Sequence, residues 1–292
     1  MFEKNLLKGK RILVTGGGTG LGREIAEKYL ELGADMYVCG RRKAVLDKTA
    51  TELMQKHGGS IKTLACDIRD AAAVDAMVQA IWDDGGSLAG LVNNAAGNFI
   101  SRTEDLSPRG FDAIANTVFH GTFYATHAVG RRWIAGGHKG SVVSIVVTWV
   151  WTGSPFVVPS AMSKAGVHVM TQSLAVEWGR YGIRLNAIAP GIFPTEGAGK
   201  RLAPGRDPGR DAASVNPMGR AGKMQELQNL AAYLMADGAE FLTGQTIAID
   251  GGANLVNGSS FNELFKWTDA DWEKAREAIK AQNEKDKKQR ST

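Results

Sequence analysis

Residues 15–22 read Thr-Gly-Gly-Gly-Thr-Gly-Leu-Gly and lie between a short apolar run and a helical pattern. The apolar run is Ile-Leu-Val at 12–14, and apolar side chains recur at helical spacing over 20–32. A strand that passes through glycines into a helix brings bare backbone N–H groups and a helix N-terminus close to a diphosphate. A side chain at Gly16 or Gly22 would hold that ligand away or push the helix off the strand. The stretch therefore predicts a dinucleotide-binding turn.

Outward from this turn, short apolar runs alternate with helical patterns along the whole chain. The predicted strands are 11–15, 35–39, 61–66, 90–94, 141–147, 183–188 and 245–249. The predicted helices are 20–32, 42–57, 70–83, 107–135, 160–180 and 224–236. This alternation predicts an α/β fold, a single doubly wound Rossmann domain over 1–292 with a seven-stranded parallel sheet. The Gly-, Pro- and Arg-rich stretch at 190–223 is predicted to be a substrate lid, and 253–292 a C-terminal tail.

Composition excludes several classes of protein. The 292 residues are 43% hydrophobic and 22% charged, and no apolar run reaches the ~20 residues of a membrane span. The net charge of +5 comes from two segments, 191–223 and 273–292, each of which carries +3. The rest of the chain has no basic face of the kind that binds nucleic acid. Neither a signal peptide nor metal-ligand spacing is recognisable, and Cys39 and Cys66 are interpreted as buried hydrophobes. We therefore predict a cytoplasmic protein without a metal, a membrane or a nucleic-acid partner.

The second predicted strand ends in two arginines, Arg41 and Arg42, where a preference for NAD usually requires a carboxylate. Arginines at that position suit a 2′-phosphate, so they favour NADP(H), although they could simply begin a surface helix. Asp67, after the third strand, is placed to meet the adenine amino group, or else to cap the following helix. Small residues after the fourth strand, Asn-Asn-Ala-Ala-Gly at 93–97, would let the ribose and nicotinamide approach the backbone.

These motifs resemble the short-chain dehydrogenase/reductase family. The matched positions are the turn at 15–22, Asn-Asn-Ala at 93–95, Lys164, Pro-Gly at 190–191 and Asp-Gly-Gly at 250–252. Longer matches at 94–101, 153–164 and 261–264 are similar to the mitochondrial form of the 2,4-dienoyl-CoA reductase branch. The resemblance implies a homotetrameric, NADPH-dependent reductase of enoyl- or dienoyl-CoA thioesters. The residues expected to contact the cofactor are Gly16, Thr19, Gly20, Leu21, Arg41, Arg42, Asp67, Ile68, Asn93, Asn94, Ala95, Lys164, Pro190, Gly191 and Ile192.

The catalytic positions implied by the resemblance are altered in this sequence. Ser160 stands at the family's tyrosine position, as it does in the dienoyl-CoA reductase branch, and Lys164 is retained. The branch's own tyrosine is Trp149 here, and its asparagine before a Gly-Thr pair is His120. We expect Lys164 to orient the nicotinamide ribose and Ser160 to hydrogen-bond the substrate carbonyl. His120 is predicted to be the acid because it titrates near neutral pH, or else a packed core histidine.

The resemblance also implies carrier contacts from Arg69 and Arg201, near the CoA phosphates, and from Phe99. Trp149 could donate its indole N–H or form an apolar wall for the acyl chain. Because the tyrosine is missing, two alternatives remain. One is a carbonyl reductase or alcohol dehydrogenase that uses His120 as its acid. The other is a cofactor-binding protein that has lost its catalytic activity.

Overall fold

The structure is a computed structural model, and it describes residues 1–195, 216–256 and 262–290. Seven strands form one parallel sheet, as the sequence predicts, and their order in the sheet is β3-β2-β1-β4-β5-β6-β7. The strands are β1 Arg11–Thr15, β2 Asp35–Gly40, β3 Ile61–Ala65, β4 Gly90–Asn93, β5 Gly140–Ile145, β6 Ile183–Pro190 and β7 Thr246–Ile249. The strand order reverses between β1 and β4, so their carboxyl ends open the crevice in which such folds bind ligands.

Helices lie on both faces of the sheet. They are α1 Gly20–Glu31, α2 Lys43–His57, α3 Ala71–Gly85, α4 Pro108–Ala115, α5 Gly121–Gly136, α6 Trp149–Thr152, α7 Val158–Trp178, α8 Met224–Met235, α9 Ala253–Val256 and α10 Asp269–Arg290. Short 3₁₀ turns occur at Gly179–Tyr181, Asp237–Ala239 and Asn262–Lys266. In the described ranges, no helix is both long enough and apolar enough to cross a membrane.

The core has two layers because alternate residues of each strand point to opposite faces. Ile12 and Val14 pack with side chains of α1, α2 and α8, whereas Leu13 packs with side chains of α3, α5 and α7. Cys39 is fully buried and Cys66 nearly so, and neither forms a disulfide. Burial raises the pKa of both thiols, that of Cys66 to about 11. These cysteines are therefore core residues.

The predicted helix over 107–135 differs from the observed structure. A π-helical turn, Asn116–His120, separates α4 from α5, and the Gly121 N–H donates to the Asn116 carbonyl five residues back. Each residue of an α-helix rotates by 100°, so the extra residue in this wider turn changes which side chains share a face. The short helix α6 was also not predicted.

Met1–Asn254 forms one compact unit, and the described residues from Leu255 onward form a second, smaller one. The first contains the whole sheet. The second contains α10, and most of the described side chains of this helix are exposed. The predicted lid at 190–223 lies largely outside the described residues, which resume at Asn216.

Candidate active site

The glycine turn packs tightly against the loop after β4. A Cβ on Gly16 would lie 2.9 Å from the Ala95 Cα, and one on Gly22 would lie 2.3 Å from the Asn94 Nδ2. Gly16 also has a φ of +68°, which L side chains rarely adopt. The turn therefore requires glycine for its packing as well as for any ligand.

The N-terminus of α1 opens onto a cleft at the carboxyl ends of the strands. Thr19 precedes the helix, but its side chain makes no capping hydrogen bond, and the first turn contains no acidic residue. The first N–H groups of a helix need an external partner, and the helix dipole favours an anion there. Gly18, Thr19 and Leu21 line the cleft beside these groups. The arrangement fits the diphosphate of a dinucleotide.

The cleft has a volume of about 440 Å³ and extends from the ends of β2 and β3 to α7. Its lining includes most of the predicted cofactor-binding residues: Gly16, Thr19, Leu21, Arg41, Arg42, Asp67, Ile68, Asn94, Ala95, Lys164 and Pro190. Four predicted residues are not part of this lining. Gly20 is the first residue of α1, Asn93 is buried in the core, Gly191 packs against Asp250, and Ile192 lines a separate cavity of about 160 Å³.

Asn93 supports the sheet and does not reach the cofactor cleft, contrary to prediction. Its side chain is 4% exposed, and its Nδ2 donates to the Thr126 and Ser144 hydroxyls at 2.8 and 3.3 Å. Asn94 turns the other way, and its Nδ2 donates to the Thr15 and Gly16 carbonyls at 3.0 and 3.2 Å. Adjacent residues at a strand end point in opposite directions, which a sequence motif does not resolve.

Thr15 is a positioning residue that the sequence analysis missed. Its hydroxyl accepts the N–H groups of Asn94 and Ala95 at 3.0 and 3.1 Å and donates to the Val92 carbonyl at 3.3 Å. It thereby joins the end of β1 to the loop after β4, which forms one wall of the cleft. The only sequence signal was its place immediately before the glycines.

At the adenosine end, Arg41 and Arg42 are exposed side chains that line the cleft. Asp67 also lines it, but its carboxylate is held by Arg69. The Arg69 Nε lies 2.9 Å from Oδ1, and Nη2 lies 2.5 Å from Oδ2. These hydrogen bonds hold the pKa of Asp67 below its usual value. Arg69, predicted to contact CoA phosphates, does not line the cleft and instead balances the charge of Asp67.

At the other end of the cleft, Ser160 and Lys164 lie on successive turns of α7 and are 3% and 6% exposed. The Lys164 ammonium donates to the Ile145 carbonyl at the end of β5. Burial lowers the pKa of Lys164 to about 8. Trp149, the first residue of α6, lines the same region. Three of the predicted catalytic and substrate residues are therefore brought together.

The π-helical turn brings Thr117, rather than His120, to the cleft. His120 is exposed and absent from the cleft lining, and its ring centroid lies 5.5 and 5.9 Å from those of Phe119 and Tyr124. The Thr117 hydroxyl donates to the Ala113 carbonyl at 3.0 Å. The helix predicted over 107–135 was uninterrupted, whereas the π-helical turn leaves His120 outside the cleft lining, and its role as the acid stays a prediction. Asn116, four residues before His120, is also exposed.

The remaining predicted substrate contacts lie elsewhere. Phe99 does not line the cleft, and its ring is directed toward Gly110 near the start of α4. Arg201 lies outside the described residues. Across 1–195, 216–256 and 262–290, no three His, Cys, Asp or Glu side chains are grouped as metal ligands.

A family model described as enoyl-(acyl carrier protein) reductase matches residues 16–254, most of the chain. The protein is a short-chain dehydrogenase/reductase. Members of this family are oxidoreductases that use a nicotinamide cofactor, and the glycine turn and open α1 N-terminus fit one.

Relatives support the same assignment. A *Caenorhabditis elegans* protein named probable 2,4-dienoyl-CoA reductase 3 is 42% identical over 292 residues, 98% of this chain and 94% of its own length. A crystal structure of a short chain dehydrogenase from *Bacillus anthracis* is 38% identical, with a TM-score of 0.77 over 86% of this chain and 98% of the other. A gluconate 5-dehydrogenase from *Burkholderia cenocepacia*, solved with NADP and tartrate, is 28% identical. Its TM-score is 0.80 over 87% of this chain and 98% of the other.

Proposed function

We propose that this protein reduces the conjugated C=C bond of an enoyl- or dienoyl-CoA thioester with NADPH. The observation that carries the proposal is the set of side chains at the inner end of the cleft. Ser160, Lys164 and Trp149 offer hydrogen-bond donors there, and no tyrosine is among the described residues that line the cleft. The name of the 42% identical *C. elegans* protein supports the thioester as substrate.

The donor set suits conjugate reduction better than carbonyl reduction. Reducing an isolated carbonyl produces a strongly basic alkoxide, which needs an acid beside the oxygen. Conjugate reduction of a thioester leaves an enolate, whose less basic oxygen can be held by donors while solvent protonates carbon. A serine hydroxyl and an indole N–H can stabilise that oxygen without titrating near neutral pH, and the Lys164 ammonium adds positive charge beside them.

Each residue then has a defined task. When a nicotinamide cofactor is bound in the cleft, it would supply the hydride. Lys164 holds the ribose hydroxyls and places positive charge at this end of the cleft. Ser160 donates to the thioester oxygen, and Trp149 covers one side of the acyl group. The Thr117 hydroxyl is a further donor that can rotate from the Ala113 carbonyl to the thioester oxygen.

A substrate panel tests the proposal. We expect NADPH oxidation with crotonyl-CoA or a 2,4-dienoyl-CoA, together with an NMR spectrum of the product that lacks one C=C bond. If only 3-oxoacyl-CoA substrates are reduced, the protein is a carbonyl reductase and the proposal is wrong. NADPH binding without turnover on any substrate would instead indicate an inactive member of the family.

NADPH preference is argued from the end of β2. Arg41 and Arg42 are exposed beside the cleft, and Arg69 neutralises Asp67, the acidic residue that lines this end. A 2′-phosphate would therefore meet a net positive surface.

We expect NADPH to bind ten- to a hundred-fold more tightly than NADH, from a charge-assisted contact of roughly 1.5–3 kcal/mol. Arg41→Ala should remove most of this difference in a fluorescence titration. Lys48→Ala, which removes an exposed cation on the same segment after β2, should preserve it. Equal affinities for the two cofactors in the unchanged protein would contradict the assignment.

A homotetramer is part of the proposal. On α7, Met162, Val169 and Val176 are 58%, 56% and 86% exposed, and their seven-residue spacing makes one apolar stripe. Such a stripe suits helix packing between subunits. The cytoplasmic location remains a prediction from the sequence.

A further inference from the structure

An exposed apolar pair, Ile100 and Phe156, lies on two loops that are joined to each other. Ile100 is 47% exposed and Phe156 is 58% exposed. The backbone N–H of Ser101, next to Ile100, donates to the Phe156 carbonyl at 2.9 Å. The two loops are far apart in the sequence, and this hydrogen bond joins the backbone segments that carry the two apolar residues.

The backbone at Phe156 is strained. Its φ is +63°, in the left-handed region that a bulky L residue rarely adopts. Glycine would relieve this strain, so a phenylalanine here implies that its ring or its carbonyl has a use. The carbonyl bond to Ser101 accounts for the backbone conformation but not for the exposed ring.

Both loops continue directly into the cleft. Gly97 and Asn98 line it, and Ile100 follows two residues later, within about 7 Å of chain. On the other loop, Trp149 lines the cleft seven residues before Phe156, and Ser160 lines it four residues after. The pair therefore belongs to the catalytic end of the cleft and not to the adenosine end.

We propose that Ile100 and Phe156 bind the acyl chain of the substrate as it leaves the catalytic end of the cleft. The inference rests on the proposed thioester reductase function and adds a preference for longer acyl chains. An extended chain that leaves the cleft beside these loops would bury its methylenes against the two large apolar side chains. Each methylene buried can increase kcat/KM by up to about fourfold.

The experiment compares kcat/KM for acyl-CoA substrates of increasing length, from four to twelve carbons, in the full-length protein. In the unchanged protein, the ratio of kcat/KM for the twelve-carbon substrate to that for the four-carbon substrate should exceed one. Phe156→Gly and Ile100→Ser should each reduce this ratio about tenfold, and Phe156→Leu should retain most of it. Phe241→Ser, which removes a fully exposed phenylalanine that does not line the cleft, should leave the ratio unchanged.

Phe156→Gly also separates acyl binding from folding. Because glycine accepts a φ of +63°, this variant should have an equal or higher Tm while it loses chain-length preference. A folding defect would lower both together. If the ratio of kcat/KM for the longest and shortest substrates is unchanged in Phe156→Gly and Ile100→Ser, the proposal is overturned. If the oligomeric mass changes while that ratio does not, the pair belongs to a subunit contact.

Calorimetric binding of the same acyl-CoA series, with NADP⁺ present, separates this proposal from the proposed function. Longer acyl chains that bind more tightly only when Ile100 and Phe156 are intact would support the acyl site even without turnover. Turnover of thioesters with no dependence on the pair would leave the reductase function standing and reject the acyl site.

Discussion

Lys164→Met should lower kcat for thioester reduction at least about 100-fold while leaving the protein at least as stable. Methionine keeps the length and volume of the buried side chain but removes its charge and its donor. The Lys164 ammonium lies at the inner end of the cleft and is held by the Ile145 carbonyl. Loss of one preorganised donor of this kind typically costs 10²–10³ in rate, roughly 3–4 kcal/mol.

The stability of this variant should depend on pH in a defined direction. Burial lowers the pKa of Lys164 from 10.5 to about 8, so the folded protein resists its protonation. This penalty, at most about 3 kcal/mol, is complete below pH 8 and disappears as the pH rises through 10.5. Removing the amine should therefore raise the free energy of unfolding, and the gain should be largest near neutral pH. The cost of leaving the Ile145 carbonyl unpaired reduces this gain.

The control for Lys164→Met is Lys28→Met. Lys28 is a second largely buried lysine, paired with Glu31 on α1 and not part of the cleft lining. The Lys28→Met variant should retain full activity. If the kcat of Lys164→Met is within tenfold of that of the unchanged enzyme, Lys164 has no catalytic task. The hydrogen-bond donors at the inner end of the cleft must then be assigned again.

The sequence predicted the sheet well because its signals are local. Each buried strand is a short apolar run followed by a helical pattern, and the glycine turn at 15–22 requires a strand before it and a helix after it. The residues that line the cofactor half follow from strand ends, which meet at one edge of a parallel sheet. Arg41, Asp67 and Asn94 were found in this way.

The errors arose where a position depends on the register of the backbone. No residue type marks a π-helical turn, so the unbroken periodicity over 107–135 placed His120 on the wrong face. Asn93 and Asn94 differ only in the direction that a strand end gives each side chain. Arg69 was assigned to a carrier phosphate from the family resemblance, and the sequence does not indicate that the bend after β3 brings it onto Asp67.

The π-helical turn predicts different effects on kcat for substitutions at Thr117 and His120, which are three positions apart. Thr117→Val should lower kcat about 100-fold, whereas His120→Ala should change it less than about threefold. Valine has the same shape as threonine, so it keeps the packing of the turn and removes only the hydroxyl. Thr117 lines the cleft with Ser160 and Trp149, and His120 is exposed against Phe119 and Tyr124.

Steady-state rates at saturating NADPH, measured from pH 6 to 9, distinguish the two residues further. If a hydroxyl that stays neutral stabilises the thioester oxygen, the unchanged enzyme should lack a limb that falls near the usual histidine pKa of about 6.5. Thr117→Ser, which restores the hydroxyl without the methyl group, should recover most of the rate lost in Thr117→Val. A large loss in His120→Ala that also abolishes a pH limb near neutrality would show that His120 is the acid. It would also mean that the turn rearranges when substrate binds, since the exposed imidazole must then reach the cleft.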